Sequence, residues 1–142
     1  MLSQKSRHAL HAMLFLTRKG ASATAAEIAA AENIPHKFLE QILSQLRSRG
    51  LVIGKRGPTG GYVLSRDAAQ ISFAEVLRAI DGPLALAPCA SRTEYRPCPD
   101  CRSVEECEIR PVLIAVRDAT AARLEGTSLA QAAAGETPEF SP

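Results

Sequence analysis

The sequence predicts a mainly α-helical fold with a small β hairpin: a winged helix-turn-helix, followed by a long C-terminal dimerisation helix. Three observations carry this reading. Apolar residues recur at helical spacing through three successive segments of the first half. The period then drops from 3.6 to two on either side of the glycine-rich stretch "RGPTG". Beyond residue 110 a helical apolar stripe returns, wider than so small a domain can cover by itself.

Each element has its own grounds. Residues 4–18 read as a helix with a broad apolar side of Ala9, Leu10, Ala12, Met13, Leu14 and Leu16, stopped by Gly20. Thr24 with Glu27 three residues later is a capping box that opens a short helix, with Ile28 and Ala29 facing inward. Asn33-Ile34-Pro35 forms a turn, because the residue before a proline avoids helical dihedrals. Pro35 can open the third helix, 36–48, since its missing N–H costs nothing there. That helix is expected to bury Phe38, Leu39, Ile42, Leu43 and Leu46 and to end at Gly50. "LVIGK" and "GYVLS" read as strands flanking a turn that Gly57, Gly60 and Gly61 loosen and Pro58 stiffens.

Ser72 with Glu75 makes a second capping box and opens the helix "FAEVLRAI", which Asp81-Gly82-Pro83 ends. A cysteine-rich loop follows. The long helix then runs from near Glu108 or Pro111 to about Leu124, with Val112, Leu113, Val116, Ala119 and Leu124 as its stripe. "SLAQAAA" is a last short helix. The chain thus divides into a winged helix-turn-helix (1–82), a cysteine loop (83–110), a dimerisation helix with a short C-terminal helix (111–135) and a tail (136–142) that frays.

Charge is distributed unevenly. Residues 1–66 hold ten Lys/Arg against three Asp/Glu, a net +7, while residues 67–142 hold seven against twelve, a net −5. A basic half beside an acidic one points to a polyanion partner for the first half. No apolar run is long enough to span a membrane, and no export signal is evident, so the expected location is the cytoplasm. No nucleophile–base–orienter set is apparent, and His8, His11 and His36 are the histidines available, so an enzyme reading has little support.

In a winged helix-turn-helix the third helix enters the major groove of double-stranded DNA. Lys37, Glu40 and Gln41 occupy its first turns: Gln pairs with adenine, Glu accepts from the cytosine amino group, and Lys reaches guanine or phosphate. Each is equally at home on a solvated helix face. Lys55 and Arg56 stand at the hairpin tip among small residues, where a guanidinium can enter a narrow minor groove. Arg7, Arg47 and Arg49 are candidate phosphate clamps. Two heads of this kind read a pseudo-palindromic operator as a homodimer.

All the cysteines, Cys89, Cys98, Cys101 and Cys107, fall within "CASRTEYRPCPDCRSVEEC". In a reducing compartment such clustering favours metal ligation or redox sensing over a structural disulfide. Four thiolates suit tetrahedral zinc. Closely spaced thiolates on flexible backbone suit an iron–sulfur cluster equally, and spacing alone leaves the two open.

The opening "LSQKSRHALHAMLFL", the helix "IPHKFLEQILSQLRSRGLV", the wing "KRGPTGGYVLSR", "ISFAEVLRAIDGP" and the cysteine region together resemble the Rrf2 family of bacterial transcription regulators over nearly the whole chain. The resemblance implies a dimeric winged-helix repressor or activator. It further implies an iron–sulfur cluster, 2Fe–2S before 4Fe–4S, responding to iron, redox state or nitric oxide. Zinc or a thiol switch is the alternative. The family's usual C-x5-C-x5-C is met by Cys101 and Cys107, but Tyr95 stands where the first cysteine would fall. By this likeness Cys89 takes that role across an enlarged loop and Cys98 is an extra thiol. Arg110 replaces the histidine that the family's iron–sulfur-biosynthesis regulator carries after its last cysteine. His11 resembles a ligand that some relatives supply from the first helix of the other subunit, or packs at the domain seam. Glu40 resembles the family's sequence-reading glutamate.

Overall fold

The computed structural model describes residues 2–58 and 60–136. Thr59 in the wing turn, and the predicted tail apart from Glu136, lie outside the described residues. Among the described residues six helices and two strands follow in order: α1 Gln4–Lys19, α2 Ala25–Glu32, α3 His36–Ser48, β1 Val52–Lys55, β2 Gly61–Leu64, α4 Phe73–Asp81, α5 Arg110–Glu125 and α6 Leu129–Ala133. Single 3-10 turns lie at Ala68–Gln70 and Pro88–Ala90.

The caps explain the boundaries. The Ser3 hydroxyl accepts the Ser6 N–H at the start of α1, and Gly20 closes that helix in the left-handed region at φ 65. The Thr24 hydroxyl accepts the Glu27 N–H at 3.1 Å, a cap of the kind that contributes about 1 kcal/mol. The Glu27 carboxylate pairs with Lys19 across the turn. Asn33 ends α2 at φ 53, a conformation that asparagine tolerates. The short turn through Ile34 and Pro35 then sets α3 against α2.

One core holds the head together. Met13, Leu16, Ile28, Leu39, Ile42, Leu43, Leu46, Ile71, Val76 and Leu129 are almost fully buried. Phe38 departs from expectation: it sits at the edge of the α3 stripe, half-buried, with its ring edge-on to His8 at a centroid distance of 5.6 Å.

The wing pairs antiparallel in the register Val52↔Leu64 to Lys55↔Gly61. A third segment joins it. Ala23 and Tyr62 exchange backbone hydrogen bonds of 3.0 and 2.7 Å, so the residue two before α2 bridges onto the outer edge of β2. Gly61 lies at φ +128, and a Cβ there would stand 2.3 Å from the Ala23 carbonyl oxygen.

Helix α4 opens on the expected reciprocal capping box of Ser72 and Glu75. At its other end the Asp81 carboxylate accepts the Ser3 and Ser6 hydroxyls at 2.7–2.8 Å, tying α4 to the start of α1. Helix α6 folds back onto α1. Leu129 is fully buried there, and its N–H donates to the Ile71 carbonyl at 2.9 Å.

Helix α5 is peripheral. It packs on α4 and on the 88–90 turn, and Ala121 is its one buried residue. The expected stripe divides: Leu124 leans on the core and Leu113 faces the cysteine loop. Val112 and Val116 are 63% and 40% exposed, and Ile109 just before the helix is 68% exposed. Among the described residues no helix is long and apolar enough to cross a membrane.

Candidate functional site

Helix α3 and the wing form one surface. Lys37, Glu40 and Gln41 are exposed on the first turns of α3. Glu40 is steadied by His36, whose Nδ1 lies 3.5 Å from the carboxylate one turn away. Gln45 points inward instead: its Nε2 donates to the carbonyls of Ala79 and Ile80 at 3.1 and 3.2 Å, fixing α3 to the end of α4. The Arg47 guanidinium passes over Gly54 of β1, 3.8 Å from where a Cβ would project, so this cation links helix to wing. Lys55 and Arg56 are exposed at the hairpin tip.

Several cations of the head are paired, and those of this surface are not. Arg18, Lys19, Arg66 and Arg78 are matched with Glu32, Glu27, Glu75 and Glu125. Among the described residues Arg7, Lys37, Arg47, Arg49, Lys55 and Arg56 have no acidic partner. Cations without internal partners leave a positive field available to a polyanion.

The second site is the cysteine loop. The Pro88–Ala90 turn buries Cys89, which is 5% exposed. The Cys98 thiol donates to Cys89 Sγ at 3.6 Å. That bond is the main cause holding the Cys98 thiol above its ordinary ionisation range, so a metal bound by the pair would displace protons. The Cys101 N–H returns to the Cys98 carbonyl at 3.0 Å, closing the C-P-D-C turn. Cys89, Cys98, Cys101 and Cys107 all line one cavity of about 390 Å³, with Arg110 and Leu113 of α5 on its wall. Among the described residues no three Cys, His, Asp or Glu side chains already stand close enough to hold one metal ion. The loop therefore presents a formed thiol pair with two further thiols around the same cavity. Such a sulfur-rich set suits soft or borderline metals, zinc and iron–sulfur clusters among them.

Two arginines, Arg110 and Arg117, hold the loop to α5. Arg110 Nε donates to the Cys89 carbonyl at 3.1 Å, and its guanidinium lies 6.0 Å from the Tyr95 ring centroid. Two turns on, Arg117 donates to the Ala90 carbonyl at 2.6 Å and pairs with Asp118, which also takes Arg92 at 2.6 Å. Chiefly through Arg117, these cations hold the Asp118 carboxyl below its usual range. The seven-residue spacing of Arg110 and Arg117 put them on one helix face and was the available signal. His11 lies elsewhere: it faces Glu32 at 3.6 Å, its side chain is 60% exposed, and it does not line the cavity.

Residues 2–135 match the Rrf2 family, described as an iron-dependent transcriptional regulator. A Rhodobacter capsulatus protein named as an rrf2-like HTH-type transcriptional regulator is 41% identical over 121 residues, covering 82% of this chain and 81% of that one. The HTH-type transcriptional regulator IscR of Cronobacter sakazakii is 39% identical over 93 residues, which is 64% of this chain and 57% of the relative. Among solved structures, CymR, the global cysteine regulator of B. subtilis, superposes with a TM-score of 0.76 at 29% identity, covering 95% of this chain and 97% of that one.

Proposed function

This chain belongs to the Rrf2 family of transcriptional regulators, whose members are not enzymes, and we propose that it is a homodimeric cytoplasmic regulator whose operator binding is controlled by an iron–sulfur cluster in the cysteine loop. The observation that carries the proposal is the convergence of Cys89, Cys101 and Cys107 on one cavity whose wall is the α5 helix. A bound cluster would supply a group whose presence and oxidation state follow iron supply, redox state or nitric oxide. The chain's own residues do the rest. Cys89, Cys101 and Cys107 ligate the cluster, and Arg110 and Arg117 clamp the backbone of the 88–90 turn to α5.

The exposed row Ile109, Val112 and Val116 recurs at helical spacing and faces the same row of a second copy. Through α5 the loop then sets the separation of two α3 helices, which read half-sites of a pseudo-palindromic operator one helical turn apart. Lys37, Glu40 and Gln41 meet base edges, Lys55 and Arg56 enter the minor groove, and Arg7, Arg47 and Arg49 hold phosphates.

Anaerobic purification tests the reading. Brown protein with visible charge-transfer absorption that Cys89→Ser, Cys101→Ser and Cys107→Ser each abolish supports it, and colourless protein carrying only zinc contradicts it.

The 3.6 Å contact of the Cys98 and Cys89 sulfurs favours a second reading, a thiol switch. A peroxide would oxidise the two thiols to a disulfide and be reduced to an alcohol and water, each thiol giving up its hydrogen. The similar B. subtilis structure is that of a cysteine regulator. Operator binding that tracks this disulfide in iron-free protein would establish the second reading in place of the first.

A further inference from the structure

The geometry points to Cys98 as a fourth protein ligand that shares one metal ion with Cys89, so that a single protomer supplies an all-cysteine site. The inference rests on the cluster reading above and deepens it. Two sulfurs bound to the same tetrahedral ion at about 2.3 Å stand about 3.8 Å apart. Cys89 and Cys98 Sγ already lie 3.6 Å apart, the edge of such a tetrahedron, before any ion draws them together.

Several fixed bonds hold this pair in place. Cys89 is buried on the 88–90 turn, whose backbone Arg110 and Arg117 grip. The Arg96 N–H donates to the Pro88 carbonyl at 3.2 Å, bringing the chain back beside the turn two residues before Cys98. On the other side of Cys98, the Cys101 N–H bonds to its carbonyl. The remaining thiols, Cys101 and Cys107, are half-buried on the same cavity.

Two thiolates on one iron, with two more left for a second, is the arrangement of a rhombic 2Fe–2S centre. A 4Fe–4S cubane places each cysteine on a separate iron and would have to separate the Cys89–Cys98 pair. With four protein thiolates, His11 is then not required as a ligand.

The test uses the full chain, reconstituted anaerobically with ferrous iron and sulfide. Expected for the wild type are two irons and two sulfides per protomer, and a reduced-state pulsed EPR spectrum without strongly coupled nitrogen. This last readout needs no variant. Cys98→Ser should shift the charge-transfer bands and shorten cluster lifetime in air at least tenfold, with far-UV circular dichroism unchanged. His11→Ala should leave bands and lifetime as they are. A strongly coupled nitrogen in the wild type, or a Cys98→Ser protein with wild-type bands and lifetime, overturns the fourth-ligand assignment and leaves the cluster reading standing. A wild type that takes up no cluster overturns both.

Discussion

Gly61 shows how one position constrains the wing. Its φ of +128 and the 2.3 Å approach a Cβ would make to the Ala23 carbonyl leave room for hydrogen only. Gly61→Ala should destabilise the protein by about 2–4 kcal/mol through strain and a lost sheet edge, read as a lower midpoint in urea. Asp81 acts at the same scale. Burial pushes its pKa up, but the Ser3 and Ser6 hydroxyls more than offset this, and the net shift is below the ordinary 3.8. A carboxylate with a depressed folded pKa contributes stability above its unfolded value and loses it as pH falls through the folded one. Asp81→Asn should therefore lower stability modestly near neutrality, since solvent screens this exposed carboxylate. The gap from wild type should close below pH 3.8, as urea titrations at pH 7 and in that acid range would show. The capping residues Thr24 and Ser72 are legible one by one, because a cap bonds to a backbone group three residues away. The Ser3–Asp81 contact joins residues 78 apart, and no local pattern announces it.

At the scale of elements, the proposed reading has α3 and the wing divide the labour on DNA. Arg56→Ala should weaken operator binding about tenfold and reduce the preference for A·T-rich flanks, since a wing guanidinium is drawn to a narrow minor groove. Glu40→Ala should instead relax base preference with a smaller loss of affinity, because a carboxylate contributes to selectivity against bases that offer no donor. Selection from random duplexes with each variant distinguishes the two, and identical enriched pools would contradict the assignment.

Helix α5 should be where two copies meet. Val112→Glu with Val116→Glu should give monomers by light scattering, with operator affinity reduced at least tenfold, and a double variant that stays dimeric places the seam elsewhere. Leu113 is a poor choice for this test, because it faces the cysteine cavity. The sequence pattern located α5 but placed Leu113 and Leu124 in one stripe with Val112 and Val116. A helical stripe shows which residues are apolar together, whereas only the packed partner decides which of them is covered.

Across the whole molecule, the helix-turn-helix and wing were readable because their order and caps are local. The return of α6 onto α1 was not, since "SLAQAAA" offers one large side chain, Leu129, and its burial depends on Ile71 far away in sequence. That the thiols cluster in one loop was readable, and the loop's internal arrangement was not. The family resemblance left Cys98 as an extra thiol, while the fold seats it against Cys89 by way of a loop that Arg110 and Arg117 pin to α5.

Those two clamps give the loop a mechanical path to the helix that should pair the heads. On the proposed reading, ordering the loop around a cluster and reading an operator are two ends of one equilibrium, whose coupling must be reciprocal. The most direct test is operator affinity measured anaerobically, in one buffer, for cluster-loaded protein and for the same preparation stripped by chelator. The account predicts dissociation constants that differ at least tenfold, about 1.4 kcal/mol of coupling, with the difference absent in Cys107→Ser. Equal affinities for loaded and stripped wild-type protein would contradict it.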